Sequence, residues 1–223
     1  MKTIFKFILK SIVYFVVISV LWVCVYLVIN PIITPYQAYN FITGSGLNKD
    51  WVSIDEISPN MLRAVIAAED ANFFNHKGVD WNAVEDAQKY NERNKKGKMR
   101  GASTITMQTA KNTFLWHGRN FIRKGLELYF TVLIEAVWGK KRILEVYLNI
   151  IELGEGLYGV EAASQEYFNK PSKKLSPREA AVIAAVLPNP IRWSPAKPTR
   201  YINSRASTIQ ARMRAVNLKI IYE

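Results

Sequence analysis

The chain has 223 residues, room for one membrane segment and one globular domain but not for a second full domain. Apolar residues at 49% and aromatics at 12% exclude disorder, and a net charge of +12 favours an anionic partner: nucleic acid, anionic lipid or a phosphorylated substrate. A single cysteine, Cys24, excludes an intrachain disulfide and a cysteine metal cluster, and His76 and His117 share no metal-binding spacing.

Residues 1–10 carry Lys2, Lys6 and Lys10 and read as a cytoplasmic tail. Ser11 to Ile29 is free of charge; at 1.5 Å per residue it spans about 28 Å, close to the roughly 30 Å hydrocarbon core. Residues 11–33 are therefore expected to be an uncleaved transmembrane helix, ended by Pro31 and Pro35. A cleaved signal peptide is the alternative, but the run is long for one and no small-x-small site follows it directly. Basic residues precede the span and none follows before Lys49, which puts the start in the cytoplasm and the rest outside it. That orientation argues against nucleic acid. Residues 34–48, uncharged and holding Tyr36, Tyr39 and Phe41 before Gly44-Ser45-Gly46, read as an interfacial linker, and the globular domain is expected at 49–223. That domain keeps 12 − 3 = +9, so without its anchor it is expected to bind anionic membranes by charge, in a salt-sensitive way.

Ser58 and Pro59 are the N-cap and first residue of a helix, stapled by Ile57 and Leu62. Leu62, Val65, Ile66 and Glu69 follow at helical spacing, so Glu69 falls near the buried face of the last turn. The helix C-terminus and apolar neighbours both raise a carboxyl pKa there, as a general base near neutral pH requires; a helix-end Glu paired with a basic side chain is the equal alternative. Acids, aromatics and a histidine crowd the stretch that follows, to Asp80. Helix is compatible with Asn82 to Tyr90. Asn91 to Arg100 offers almost nothing to bury and reads as a mobile basic loop, running into Gly101-Ala102-Ser103-Thr104 and suited to covering a substrate.

Phe121 to Trp138 is the strongest helix, with an apolar stripe from Ile122 to Val137. Arg119, Arg123 and Glu127 share a face if the helix reaches back that far; with Lys111 they form a positive cluster around one acid, suited to a phosphate group and a divalent cation, the alternative being a surface ion pair. Further helices are expected at Lys140 to Glu152, at Val160 to Phe168, from the Ser176-Pro177-Arg178-Glu179 capping box to Val186, and from Thr199 to Ile220. Strand signals are few and no repeat is evident, so the domain is expected to be mainly α.

The chain resembles the peptidoglycan glycosyltransferases, in their monofunctional, membrane-anchored branch. The motifs occur in order from Trp51 to about Met213: Glu69-Asp70 with Phe73, His76 and Gly78; Gly101-Ala102-Ser103-Thr104-Ile105-Thr106 with Gln108 and Lys111-Asn112; Arg123-Lys124-Gly125-Leu126-Glu127; Lys140 with Arg142 to Asn149; and Tyr158-Gly159-Val160-Glu161-Ala162-Ala163, Tyr167-Phe168 and Leu187-Pro188-Asn189-Pro190. The resemblance implies a lysozyme-like, mainly α domain behind one transmembrane helix in the bacterial inner membrane, facing outward. It implies polymerisation of lipid II into β-1,4-linked glycan with release of undecaprenyl pyrophosphate, and other wall-synthesis and division proteins as partners.

By the same resemblance Glu69 is the base and Glu127 the second catalytic acid. Ser103, Thr104, Gln108, Lys111, Arg119 and Arg123 bind the donor, and Asp70, Phe73 and His76 support the first motif. No cofactor is obligatory, though a divalent cation (Mg or Mn) at the donor pyrophosphate, held by Glu127, fits the family. Met107 stands where the family usually has glutamine, which puts a donor contact there in doubt, because a thioether cannot replace an amide. A lysozyme-like hydrolase has no obvious need for a diphosphate cluster. A non-catalytic membrane-tethered scaffold is opposed by the joint presence of Glu69, Lys111, Arg119 and Glu127. Ser194-Pro195-Ala196-Lys197 matches Ser-x-x-Lys but lies among prolines with no Lys-Thr-Gly after it, so it is assigned to chance.

Overall fold

The computed structural model describes residues 2–95, 97, 99–116, 118 and 120–222. Helix α1, Lys2–Val28, is long and apolar enough to cross a membrane. It stops at Val28 instead of Ile33, because Pro31 has no N–H to continue the ladder and restricts Asn30 before it. Its last turns are docked on the domain: Trp138 Nε1 donates to Val23 O at 2.8 Å, and the Arg142 guanidinium donates to Tyr26 O at 2.8 and 3.1 Å and to Ile29 O at 3.2 Å. The Arg142 contacts satisfy carbonyls that a helix end leaves orphaned, and they set a cation against its negative pole. Val23 is fully buried, so this end of α1 is part of the core.

Residues 34–48 do more than link. Thr34 and Gln37 form a capping box that starts α2, Pro35–Ile42, and α2 packs on the domain with Gln37 and Asn40 buried. The turn after it leads into β1, Asn48–Lys49, which pairs in parallel with β3, Leu157–Tyr158; β3 pairs antiparallel with β2, Glu152–Gly154. At Gly156 (φ +65°) a Cβ would meet the Ser45 carbonyl at 1.9 Å, so this approach requires glycine.

The domain packs in two helical groups. Helix α3, Pro59–Glu69, lies against α9, Pro177–Val186, and α10, Arg200–Arg212. Helix α5, Ile105–Phe114, is enclosed by α2, α6 (Phe121–Val137) and α7 (Gly139–Ile150). Helix α4, Trp81–Arg93, is capped by Asp80, and α8, Val160–Phe168, follows the sheet. The loop after α4 is tied at its base, where the Asn91 side chain accepts from Arg100 N at 2.7 Å and donates to Arg100 O at 2.9 Å. The final helix breaks after Arg212 instead of running to Ile220. A 3-10 turn at Met213–Ala215 and the short α11, Lys219–Tyr222, fold Met213, Leu218 and Ile221 back into the core.

Candidate active site

Glu69 closes α3, and the residues after it are held by Asp70. The buried Asp70 carboxylate accepts from Ile105 N at 3.0 Å and from His76 Nε2 at 3.0 Å. Gly78 N donates to His76 Nδ1 at 3.1 Å, so the neutral ring carries its proton on Nε2, toward Asp70. Thr104 N-caps α5: its hydroxyl accepts from Met107 N and donates to Gly78 O at 2.5 Å. This hydroxyl, expected at the donor site, also holds the turn together. Phe73 is fully buried beneath Lys140, whose Nζ lies 4.6 Å from the ring centroid and 2.6 Å from Glu135; Glu135 also accepts from Thr106 at 2.7 Å.

This frame presents Glu69 in an environment hostile to its charge. Burial pushes its pKa up, with a smaller push from Asp70, while the Gln108 amide (Nε2 to Oε2, 2.9 Å), Arg205 (3.7 Å) and Lys111 oppose the rise. The Tyr147 hydroxyl, deep in the core, lies 3.4 Å from the other end of the Gln108 amide. Met107 is buried on a different side of α5 and lines an apolar groove with Met99, Val84 and Ala87. The amide that reaches the base is therefore Gln108, and the thioether does not replace it.

The second acid, Glu127, is 3% exposed. Arg123 NH1 donates to its Oε2 at 2.9 Å and Lys124 Nζ to its Oε1 at 2.6 Å. Lys111 lies within the field of both Glu69 and Glu127; burial lowers its pKa, and Arg123 and Lys124 add to that while Glu127 opposes it. No ion pair ties Lys111 to an acid among the described residues, and Arg123 Nε is likewise buried without a hydrogen-bond partner among them. Arg119 lies outside the described residues.

Two clefts open near the hydrogen-bonded pair Glu69 and Gln108. One, about 330 Å³, is lined by Glu69, Asp70, Ser103, Thr104 and Arg100; Ser103 is exposed at its mouth. The other, about 570 Å³, is lined by Gln108, Lys111, Asn112, Glu152 and Asn189. Sequence reasoning missed Arg205, Tyr147 and Glu152. Arg205 lies in what reads only as a final basic helix, and the expected helix to Glu152 ends at Ile150, so Glu152 sits instead in the short strand β2.

The profile of the transglycosylase family matches residues 37–214, which includes α2. A biosynthetic peptidoglycan transglycosylase of Rhodospirillum centenum is 54% identical over 82% of this chain and 79% of its own length. Proteins of the same name from Bdellovibrio bacteriovorus and Klebsiella oxytoca are 48% identical (95% of this chain, 86% of theirs) and 59% identical (75% and 69%). A match over most of the chain, joined to these identities, leaves no ambiguity: this chain belongs to the transglycosylase family.

Proposed function

We propose that this protein polymerises lipid II into β-1,4-linked glycan strands at Glu69, releasing undecaprenyl pyrophosphate. The observation that carries the reading is a buried carboxyl with a raised pKa beside a cluster of cations built around one buried acid. Glu69 takes the proton of the acceptor N-acetylglucosamine 4-hydroxyl as that oxygen attacks C1 of the donor N-acetylmuramic acid, and the diphosphate leaves from the opposite face with the bond's electron pair. A base poised nearer neutrality than an ordinary glutamate suits this transfer. The charge that develops on the leaving diphosphate falls to Lys111, to Arg123, whose guanidinium Glu127 holds in place beside Lys124, and, from the resemblance, to Arg119. Ser103 borders the base at the mouth of one cleft, and Gln108 orients the Glu69 carboxylate.

Among the described residues no cluster of three His, Cys, Asp or Glu side chains could hold a metal by itself, so a cation at the donor pyrophosphate would be shared between Glu127 and the phosphates. Arg123 and Lys124 each take one Glu127 oxygen, and these two donors leave acceptor positions on the carboxylate for such a cation. Glu127 is accordingly read as an organiser of cations.

The charge pattern around α1 supports a single-pass anchor in the inner membrane with the domain outside the cytoplasm. Charge is joined by a second attachment. Phe15 packs on Tyr129 at 5.5 Å, Trp22 on Phe130 at 6.5 Å, and Val23 accepts from Trp138, so α1 and α6 run side by side in the same direction. Elsewhere on α6, Phe121 is 97%, Ile122 76% and Val132 62% exposed. These exposed apolar side chains beside a membrane-spanning helix support an apolar contribution to membrane attachment in addition to the expected electrostatic one. The function is tested by giving the purified full-length protein lipid II in detergent with penicillin present. Long glycan strands and stoichiometric undecaprenyl pyrophosphate are expected; breakdown of finished peptidoglycan without polymerisation would refute the reading.

A further inference from the structure

Glu152 has no part in the reaction as derived above, yet it opens into the 570 Å³ cleft shared by Lys111 and Gln108. Its carboxylate is held from behind. Tyr36 OH donates to Oε2 at 2.9 Å, while Asn40 Nδ2 at 3.4 Å and Tyr158 OH at 3.3 Å approach Oε1. Asn40 Nδ2 also donates to the Tyr158 oxygen at 2.7 Å. Tyr158 is fully buried and Asn40 nearly so, so the donors are fixed by packing. An ionised carboxylate offers about four acceptor positions, and these three donors leave at least one for the cleft.

An acid beside the cation of a diphosphate site repels the diphosphate unless something else compensates. We propose that Glu152 is a substrate-binding and specificity-determining residue, accepting a hydrogen bond from a donating group of the lipid-linked substrate while Lys111 holds the diphosphate. The chemistry of that group is a hydrogen-bond donor, either a hydroxyl or amide N–H of the sugars or the ammonium of the peptide stem. Tyr36 and Asn40 belong to α2, so the helix that follows the membrane anchor supports the Glu152 carboxylate. The inference rests on the Lys111 cleft being the substrate cleft, as under Proposed function.

The test compares full-length wild type, Glu152→Gln, Tyr36→Phe and Lys111→Ala in detergent, on lipid II and on lipid II whose stem side-chain amine has been acetylated. Glu152→Gln keeps the shape but loses the charge, and KM for lipid II is expected to rise about tenfold with kcat within about twofold. Tyr36→Phe loosens the same network without removing the acceptor, so its thermal midpoint should fall while KM stays within about threefold of wild type. If the stem ammonium is the partner, acetylation raises the wild-type KM and leaves Glu152→Gln indifferent. If a sugar group is the partner, Glu152→Gln is equally impaired on both substrates. A KM within about twofold of wild type on both, or a shift that Tyr36→Phe reproduces, would make Glu152 a structural tie between α2 and the sheet and overturn the proposal. Undiminished activity of Lys111→Ala would instead overturn the underlying assignment of the cleft.

Discussion

Replacing Glu69 by glutamine should produce an enzyme that is inactive and more stable, and the two effects come from the same surroundings. Glutamine keeps the volume, and its side-chain oxygen can still accept from Gln108 Nε2. It cannot take a proton, so polymerisation should fall about a hundredfold or more, or ~2.7 kcal/mol at about 1.36 kcal/mol per factor of ten. For stability, the folded pKa of Glu69 lies above its unfolded value because burial penalises the charge. The folded state therefore binds more protons than the unfolded state between those two values, and stability is lost as pH rises through them.

At neutral pH the wild type carries this cost and the glutamine variant does not. Against it stand the Arg205 contact at 3.7 Å, on a side chain 29% exposed and weakened by solvent, and the smaller attraction of Lys111. The net gain is on the order of 1 kcal/mol, a rise of about 2–4 °C in thermal midpoint for a chain of this size. Scans in detergent from pH 4 to 8, paired with lipid II turnover, read both effects: the variant should match wild type at the acid end and exceed it at neutral pH. Near-normal turnover, or a variant less stable at neutral pH, would refute the reasoning.

Three further outcomes follow. Gly78→Ala places a Cβ 2.7 Å from Thr131 Cγ2 at φ +89°, and should cost about 1–3 kcal/mol and loosen the His76 loop, seen as a lowered thermal midpoint. Arg142→Ala removes the donors on Tyr26 O and Ile29 O, so amide exchange around residues 26–33 should quicken while exchange in α9 is unchanged; equal protection would mean that the remaining contacts, such as those of Trp138 and Lys49, hold the anchor without Arg142. A photoreactive lipid with its label in the acyl chain should mark the tryptic peptide holding Phe121 and Ile122 as well as α1; label confined to α1 would remove α6 from the bilayer.

The part of the fold legible in the sequence is the part where local signals agree with tertiary packing. Ser58-Pro59 and Ser176-Pro177-Arg178-Glu179 start α3 and α9 as read, and the apolar period of α3 carries Glu69 to the position where burial raises its pKa. Helix α5 left no such trace. Thr106, Thr109 and Thr113 are all fully buried on it, and threonine lowers both helix propensity and the apolar period. The cost is offset locally, since Thr109 returns its hydroxyl to Ile105 O at 2.8 Å and Thr106 bonds Glu135. The role of α2 was hidden for another reason: an uncharged, aromatic segment after a membrane helix has the composition of an interfacial linker, and only the fold brings Tyr36 and Asn40 to Glu152. Glu127 was placed among cations by spacing alone, but Lys124 as its second partner required the helix.

The most direct test of Glu69 as the base of an inverting transfer is the linkage of the product. Lipid II carries its disaccharide in α linkage to the diphosphate, so single inversion must give a β-linked strand, which a β-1,4-specific muramidase should digest completely to disaccharide units. The wild type is expected to give such a product and Glu69→Gln almost none. A muramidase-resistant, α-linked polymer from the wild type would contradict direct displacement by a base-activated acceptor.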